Sequence, residues 1–128
     1  MAIDSSGIHH ITLRVTDLER SRAFYEGVLG FDVQAPDLDL IVFGVGETLI
    51  ALLPPLEGTA EGDRFSEYRV GIDHLAFAVA GREELERAVE LLRAAEVATR
   101  GIETDPLLGK EFVCFRDPDN VQWEFYSR

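Results

Sequence analysis

The apolar residues of this chain run through the same series of periods twice, and that repetition limits the fold more than any single motif does. Ile8 to Val15 alternates, with Ile11, Leu13 and Val15 on one side and His10, Thr12 and Arg14 on the other, the pattern of a half-buried strand. Asp17 stands where a helix N-cap would. Leu18, Phe24, Tyr25, Val28 and Leu29 then fall on or near one helical face, and Gly30 closes the run. Short strands are expected around Phe31 to Gln34, Leu38 to Phe43 and Thr48 to Leu53, with Gly44 and Gly46 marking the turn between the last two. Pro54 and Pro55 stop this block, and Leu56 to Arg69 reads as a connector or a loop over a site, with Phe65 and Tyr68 as its apolar contacts. The order then restarts. Ile72 to Val79 alternates, Arg82 to Glu96 has a helical stripe of Leu85, Ala88, Val89 and Leu92, and strands are expected near Val97 to Ile102, Lys110 to Arg116 and Val121 to Tyr126. Asp117-Pro118-Asp119-Asn120 forms the turn before the last strand. The expected fold class is α+β: two tandem βαβββ modules, about 7–54 and 71–127, joined by a linker of about 55–70 within one domain over 1–128.

The repeat aligns chemically interesting residues. His10, Leu13 and Val15 match His74, Phe77 and Val79 at a constant offset. On both strands the helix-facing side is filled by large apolar residues, so each histidine is expected on the opposite, concave side of its sheet. Glu124 alternates with Trp123 and Phe125 and shares its side with Gln122 and Tyr126. Two imidazoles and a carboxylate converging there would make a facial triad suited to Fe(II), Mn(II), Zn(II), Ni(II) or Co(II), with open positions left for substrate. Taken singly, a strand histidine is an ordinary core or surface residue. The equivalent placement of the pair points toward a metal, and the residues alone leave both readings open. His9 has the wrong parity to replace His10. Gln122 and Tyr126 are candidates to contact substrate, or simply fill the sheet's concave side, and no catalytic acid or base stands out.

Composition excludes several partners. Twenty-four acidic against twelve basic residues give a net charge of −12, which repels nucleic acid and anionic membranes. An apolar content of 46% is enough for a packed core, and no run approaches the roughly 18 apolar residues of a membrane helix. The lone Cys114, inside Phe-Val-Cys-Phe, reads as a core thiol and fits a reducing compartment. The start, Met1 to Ser6, is too short and polar for a signal peptide, so a cytoplasmic protein is expected.

Three stretches carry a family resemblance. The run from His10 to Phe31 (His-Ile-Thr-Leu-Arg-Val-Thr-Asp-Leu, then Ser-Arg-Ala-Phe-Tyr, then Leu-Gly-Phe) resembles the opening of vicinal oxygen chelate proteins, the glyoxalase, bleomycin resistance and extradiol dioxygenase group. Asp73-His74 to Val79 resembles the family's second metal strand, and Phe115 to Phe125 its Asp-Pro-(Asp/Asn)-Gly-x-x-x-Glu ending, with Asn120 a departure that tolerates positive φ. The resemblance implies paired modules forming a half-open, metal-containing barrel with His10, His74 and Glu124 as ligands. Glyoxalase I-like members draw a fourth ligand from the last strand of the first module. Ala51 stands at that position here, and Glu47 falls in the turn.

The function so implied is a metal-dependent enzyme using Fe2+, Mn2+, Zn2+ or Ni2+ on a small substrate with vicinal oxygens, either dioxygenase-like or glyoxalase/lyase-like. The alternative is a bleomycin-resistance-like protein that sequesters a small molecule without catalysis. A homodimer is expected by analogy, with the modules pairing within one chain or swapped between two.

Overall fold

The computed structural model describes residues 2–36 and 39–128. The first module contains β1 (His10–Arg14), α1 (Leu18–Arg22), β2 (Ile41–Val45) and β3 (Thr48–Leu53). The Asp17 carboxylate accepts the Arg20 N–H at 3.0 Å, so the helix starts at the expected cap. Beyond Arg22 it widens into a π-helical turn over Ala23–Val28. The wider turn lets the consecutive aromatics Phe24 and Tyr25 both face inward, where they are 6% and 0% exposed. The three strands form one sheet in the order β1-β3-β2, with β1 parallel to β3. The β2–β3 hairpin turns on Gly46, whose φ of +58° suits glycine.

The second module contains β4 (Leu75–Val79), α2 (Arg82–Ala94), β5 (Ile102–Thr104), β6 (Glu111–Arg116) and β7 (Gln122–Ser127), with the sheet order β4-β7-β6-β5. The two modules therefore share one topology. The first lacks the strand expected around Phe31 to Gln34, which is reduced to a single bridge between Gln34 and Val42. Phe31 is drawn instead into the interior, its ring 4.8 Å from Phe43 and 5.0 Å from Phe77. Of the expected strand Leu38 to Phe43, Leu38 lies outside the described residues, and pairing starts at Ile41. The strand expected over Val97 to Ile102 begins only at Ile102, after Glu96 and Gly101 take positive φ. Among the described residues, no helix is long and apolar enough to cross a membrane.

One apolar cluster serves both modules. Phe24 packs on Phe115, and Tyr25 on Trp123, so the helical segment of the first module lies on the sheet of the second. The helix α2 covers the same sheet through Leu85, Ala88 and Leu92. Each sheet thus turns its large apolar residues toward the shared core. The opposite sides are open: His10, Thr12 and Arg14 are exposed along the first sheet, and His74, Ala76 and Ala78 along the second.

A buried polar chain fixes the two modules to each other. The Trp123 indole N–H donates to the Tyr25 hydroxyl at 2.9 Å, and that hydroxyl donates to Asp117 Oδ2 at 2.5 Å. Asp117 Oδ1 in turn accepts the N–H groups of Asp119 and Val121 at 2.9 and 2.8 Å. Burial pushes the Asp117 carboxyl above its ordinary range, against the pull of these donors. Burial, followed by the nearby Asp117 charge, raises the Tyr25 hydroxyl well above its own. Asp119 reaches back to the first module, accepting from the Thr16 hydroxyl and N–H and from Arg20. Asn120, at φ +71°, donates through its side chain to the Phe65 carbonyl, while Phe65 N–H donates to Asp119 O. The connector is therefore pinned at Phe65. It is held again at Glu67, which receives a two-point ion pair from Arg116, whereas Tyr68 stays 98% exposed.

Two outcomes follow. Tyr25→Phe leaves the Trp123 N–H and one Asp117 oxygen unpaired in a dry interior, and is expected to cost about 1–3 kcal/mol in urea unfolding. A loss below about 0.5 kcal/mol would show that the chain is incidental. The hydrogen bonds from Arg116 hold the Glu67 carboxyl at about 2, below its ordinary 4.5. The folded state therefore gains from ionised Glu67 above pH 4.5 and loses that gain as pH falls toward 2. The raised Asp117 carboxyl acts with opposite sign, so the wild-type stability curve mixes both. Subtracting the Glu67→Gln curve isolates the acid-side loss, and parallel curves would contradict it.

Candidate metal centre

Strand pairing explains which side chains can meet. In the second sheet Ala76, Glu124 and Cys114 lie in one row across β4, β7 and β6, and Ala78, Tyr126 and Phe112 in the next. His74 stands just ahead of β4, on the lip of the sheet rather than inside a strand as the alternation suggested. Its Nε2 faces Glu124 Oε2 at 3.7 Å. That gap is too long for a hydrogen bond. It suits two donors that each bind a third atom at about 2.0–2.2 Å. His74 Nδ1 is 2.7 Å from Asp73 Oδ1, a contact that orients the ring with Nε2 toward Glu124. The Glu124 side chain is only 12% exposed, and burial raises its carboxyl above the ordinary range, against the pull of His74. A half-buried carboxylate beside an oriented imidazole fits a divalent cation by the chemistry of its donors.

The two candidates beside Glu124 are both engaged. Tyr126 donates its hydroxyl to Asp105 Oδ2 at 2.8 Å, and with His74, Glu124 and Phe112 it lines a cleft of about 350 Å3. Gln122 Oε1 accepts from Arg116 at 3.1 Å, which leaves its amide N–H groups available. Asp73 and Asp105 were not singled out by the sequence pattern. Asp73 directly precedes His74, a local signal that could have found it. Asp105 lies in the β5–β6 loop, more than twenty residues before its partner, and gave none. Cys114 is half-buried on the open side of the sheet beside Glu124 rather than in the core, where Val113 and Phe115 point, and burial, with a contribution from Glu124, raises its thiol.

His10 lies elsewhere. It pairs in register with Leu49 on the outer side of the first sheet, and its Nδ1 is 2.9 Å from His9 Nδ1. The outer sides of the two sheets are both turned away from the shared core. Among the described residues of one chain, no three His, Cys, Asp or Glu side chains are grouped closely enough to hold a metal ion. The structure thus brings His74 and Glu124 together and leaves His10 apart. It also settles the register at Ala51, which pairs with Thr12 as Glu124 pairs with Ala76, two residues beyond each histidine. The first sheet has a methyl group where the second has its carboxylate.

A family model described as the Glyoxalase/Bleomycin resistance protein/Dioxygenase superfamily matches residues 7–125. The uncharacterized protein YwkD of Bacillus subtilis is 36% identical, with 94% of this chain and 96% of that protein aligned. The metallothiol transferase FosB of Lysinibacillus sphaericus is 27% identical, over 94% of this chain and 81% of its own length. A glyoxylase/bleomycin resistance protein/dioxygenase domain from Frankia sp. EAN1pec superposes with a TM-score of 0.79 at 27% identity, covering 97% of this chain and 98% of that one. The repeated topology, the Asp117–Asn120 turn and the match over nearly the whole length lead to one conclusion: the chain belongs to the glyoxalase/bleomycin resistance protein/dioxygenase superfamily.

Proposed function

We propose that the protein is a divalent-metal-dependent enzyme for a small substrate with two neighbouring oxygens, with His10, His74 and Glu124 as the metal ligands. The observation that carries this reading is the oriented His74 Nε2 facing the half-buried Glu124 carboxylate across an open cleft. Fe2+, Mn2+, Zn2+ and Ni2+ all suit such a donor set. When bound, the ion would polarise the substrate oxygens and stabilise negative charge that develops on them. Ala51 withholds a fourth protein ligand, so coordination positions stay open for substrate. It also withholds a first-module carboxylate that could serve as a base. That disfavours lyase or isomerase chemistry that needs such a base and favours addition of an external nucleophile to the substrate, with Tyr126, Gln122 and Phe112 positioning it. The similarity to a metallothiol transferase supports the same side of the family.

The third ligand comes from a second chain in this reading. The open side of the first sheet carries His10 beside Leu49, which is 43% exposed, and the open side of the second carries His74 and Glu124. A two-fold homodimer that sets one side against the other would build two identical sites and cover exposed apolar surface.

Metal analysis after loading with each ion is expected to give about one ion per chain, lost in His74→Ala and Glu124→Ala and weakened roughly 10- to 100-fold in His10→Ala. Absence of bound metal in the wild type under every loading condition would sink the reading. The arrangement is tested by co-expressing His10→Ala with Glu124→Ala chains carrying different tags. A shared site predicts that the purified heterodimer regains one of its two ions, because one site then holds only intact ligands. A site built inside each chain predicts no recovery.

A further inference from the structure

A second cleft, of about 460 Å3, lies between the end of β1 and the connector. Its charge runs against that of the molecule. In a chain with twice as many acidic as basic residues, three arginines line it: Arg14, Arg64 and Arg69. Two acids line it as well, but Asp119 is already engaged by Thr16 and Arg20, which leaves Asp63. Among the described residues, none of the three guanidiniums is in an ion pair with a carboxylate. Arg14 Nη1 donates at 2.9 Å to the Pro54 carbonyl, a neutral acceptor that fixes the side chain without cancelling its charge. On the opposite wall the backbone is held at Phe65. Phe65 is bonded through its carbonyl to the Asn120 side chain and through its N–H to Asp119 O, and Arg64 and Ser66 flank it directly. Leu13, Val15 and Val121 add apolar surface, which strengthens a charge interaction by excluding water.

We infer that this cleft is a binding site for a tetrahedral dianionic oxyanion, the phosphate group of a small phosphorylated molecule. Three guanidiniums less one carboxylate leave two positive charges, the complement of a phosphate monoester at neutral pH. Their forked N–H groups, with the Thr12 and Ser66 hydroxyls, supply donors in several directions, as a tetrahedral anion requires. A carboxylate would use fewer of them. The negative exterior keeps out polyanions such as nucleic acid, so the ligand is small. Thr12 and Arg14 share the open side of the first sheet with His10, so the cleft adjoins the proposed metal centre, but none of its three arginines is a proposed metal ligand.

Calorimetric titration of the full-length protein at low ionic strength tests this, with inorganic phosphate, glycerol 3-phosphate and malonate as probes. Saturable binding of a phosphate probe is expected, weakened roughly tenfold or more in the double variant Arg64→Gln/Arg69→Gln and unchanged in Glu124→Ala. Both arginines are exposed, so the double variant is expected to keep the wild-type melting temperature. Tighter binding of glycerol 3-phosphate identifies a phosphorylated metabolite as the ligand, and equal binding identifies the free ion; both support the site. The inference is overturned by absence of saturable phosphate binding, by wild-type affinity in the double variant, by loss of binding in Glu124→Ala alone, or by malonate binding as tightly as phosphate.

Discussion

The hydrogen-bond chain from Trp123 through Tyr25 to Asp117 is the constraint on which the remaining architecture rests. Each member is buried, and each needs the next: the indole needs an acceptor, the hydroxyl needs somewhere to send its proton, and the carboxylate needs donors. The three come from two modules, so the chain is satisfied in only one relative placement of them. That placement lays the first module's helical segment on the second module's sheet and turns the large apolar residues of both sheets inward. The polar sides then have no choice but to face outward, and with them His10 on one sheet and His74 and Glu124 on the other. A packing requirement deep in the core thus decides where the ligand candidates can and cannot meet.

Much of this was legible in the sequence because it is local. The alternation at Ile11, Leu13 and Val15, the cap at Asp17, the helical stripe of Leu85, Ala88 and Leu92, and the tight turn with Asn120 at positive φ all depend on neighbours a few residues away. The differences arise where a distant partner intervenes. Phe31 reads as the start of a strand, but the rings of Phe43 and Phe77 take it into the core, and the segment is left with one bridge. The helix widens at Ala23 because Phe24 and Tyr25 both have buried partners. Asp117 and Asp119 read as turn residues, and they are; that their carboxylates also bind Tyr25 and Thr16, about a hundred positions earlier, left no mark in local periodicity. The same holds for Asp105 under Tyr126. Residue types and parity pick out candidates, but only the tertiary contacts show which of them are held in place.

Arginines carry a related division of labour in this acidic chain. Arg20 and Arg116 spend their charge inside the structure, the first on Asp119 and the second on Glu67, and together they tie the connector and the β6–β7 turn to the rest. The forked guanidinium can bind a carboxylate at two points and a carbonyl besides, as Arg116 does with Glu67 and the Asn120 oxygen. Arg14 is held through the neutral Pro54 carbonyl instead, which keeps its position defined and its charge available, and Arg64 and Arg69 stand beside it on the connector outside any ion pair among the described residues. A side chain fixed through a neutral partner can still act on a ligand; one fixed through an opposite charge mostly cannot.

The two modules differ at one row of their sheets, and the asymmetry has a structural consequence. Each places a histidine at the same point, yet only the second keeps a carboxylate in the row that follows, where the first has Ala51 against Thr12. A site built by pairing two copies of the first sheet would hold two histidines and no carboxylate. One built from two copies of the second would hold two histidines and two carboxylates, enough to neutralise a divalent ion but with one position fewer for substrate. Pairing unlike sheets gives two imidazoles and one carboxylate, a donor set that leaves a divalent ion one net positive charge and open positions for an anionic substrate. Since the apolar sides of both sheets of one chain face the shared core, the proposed three-ligand pairing would form between chains. Ala51 in the first sheet and the packing of Tyr25 against Trp123 therefore favour the same assembly from independent directions.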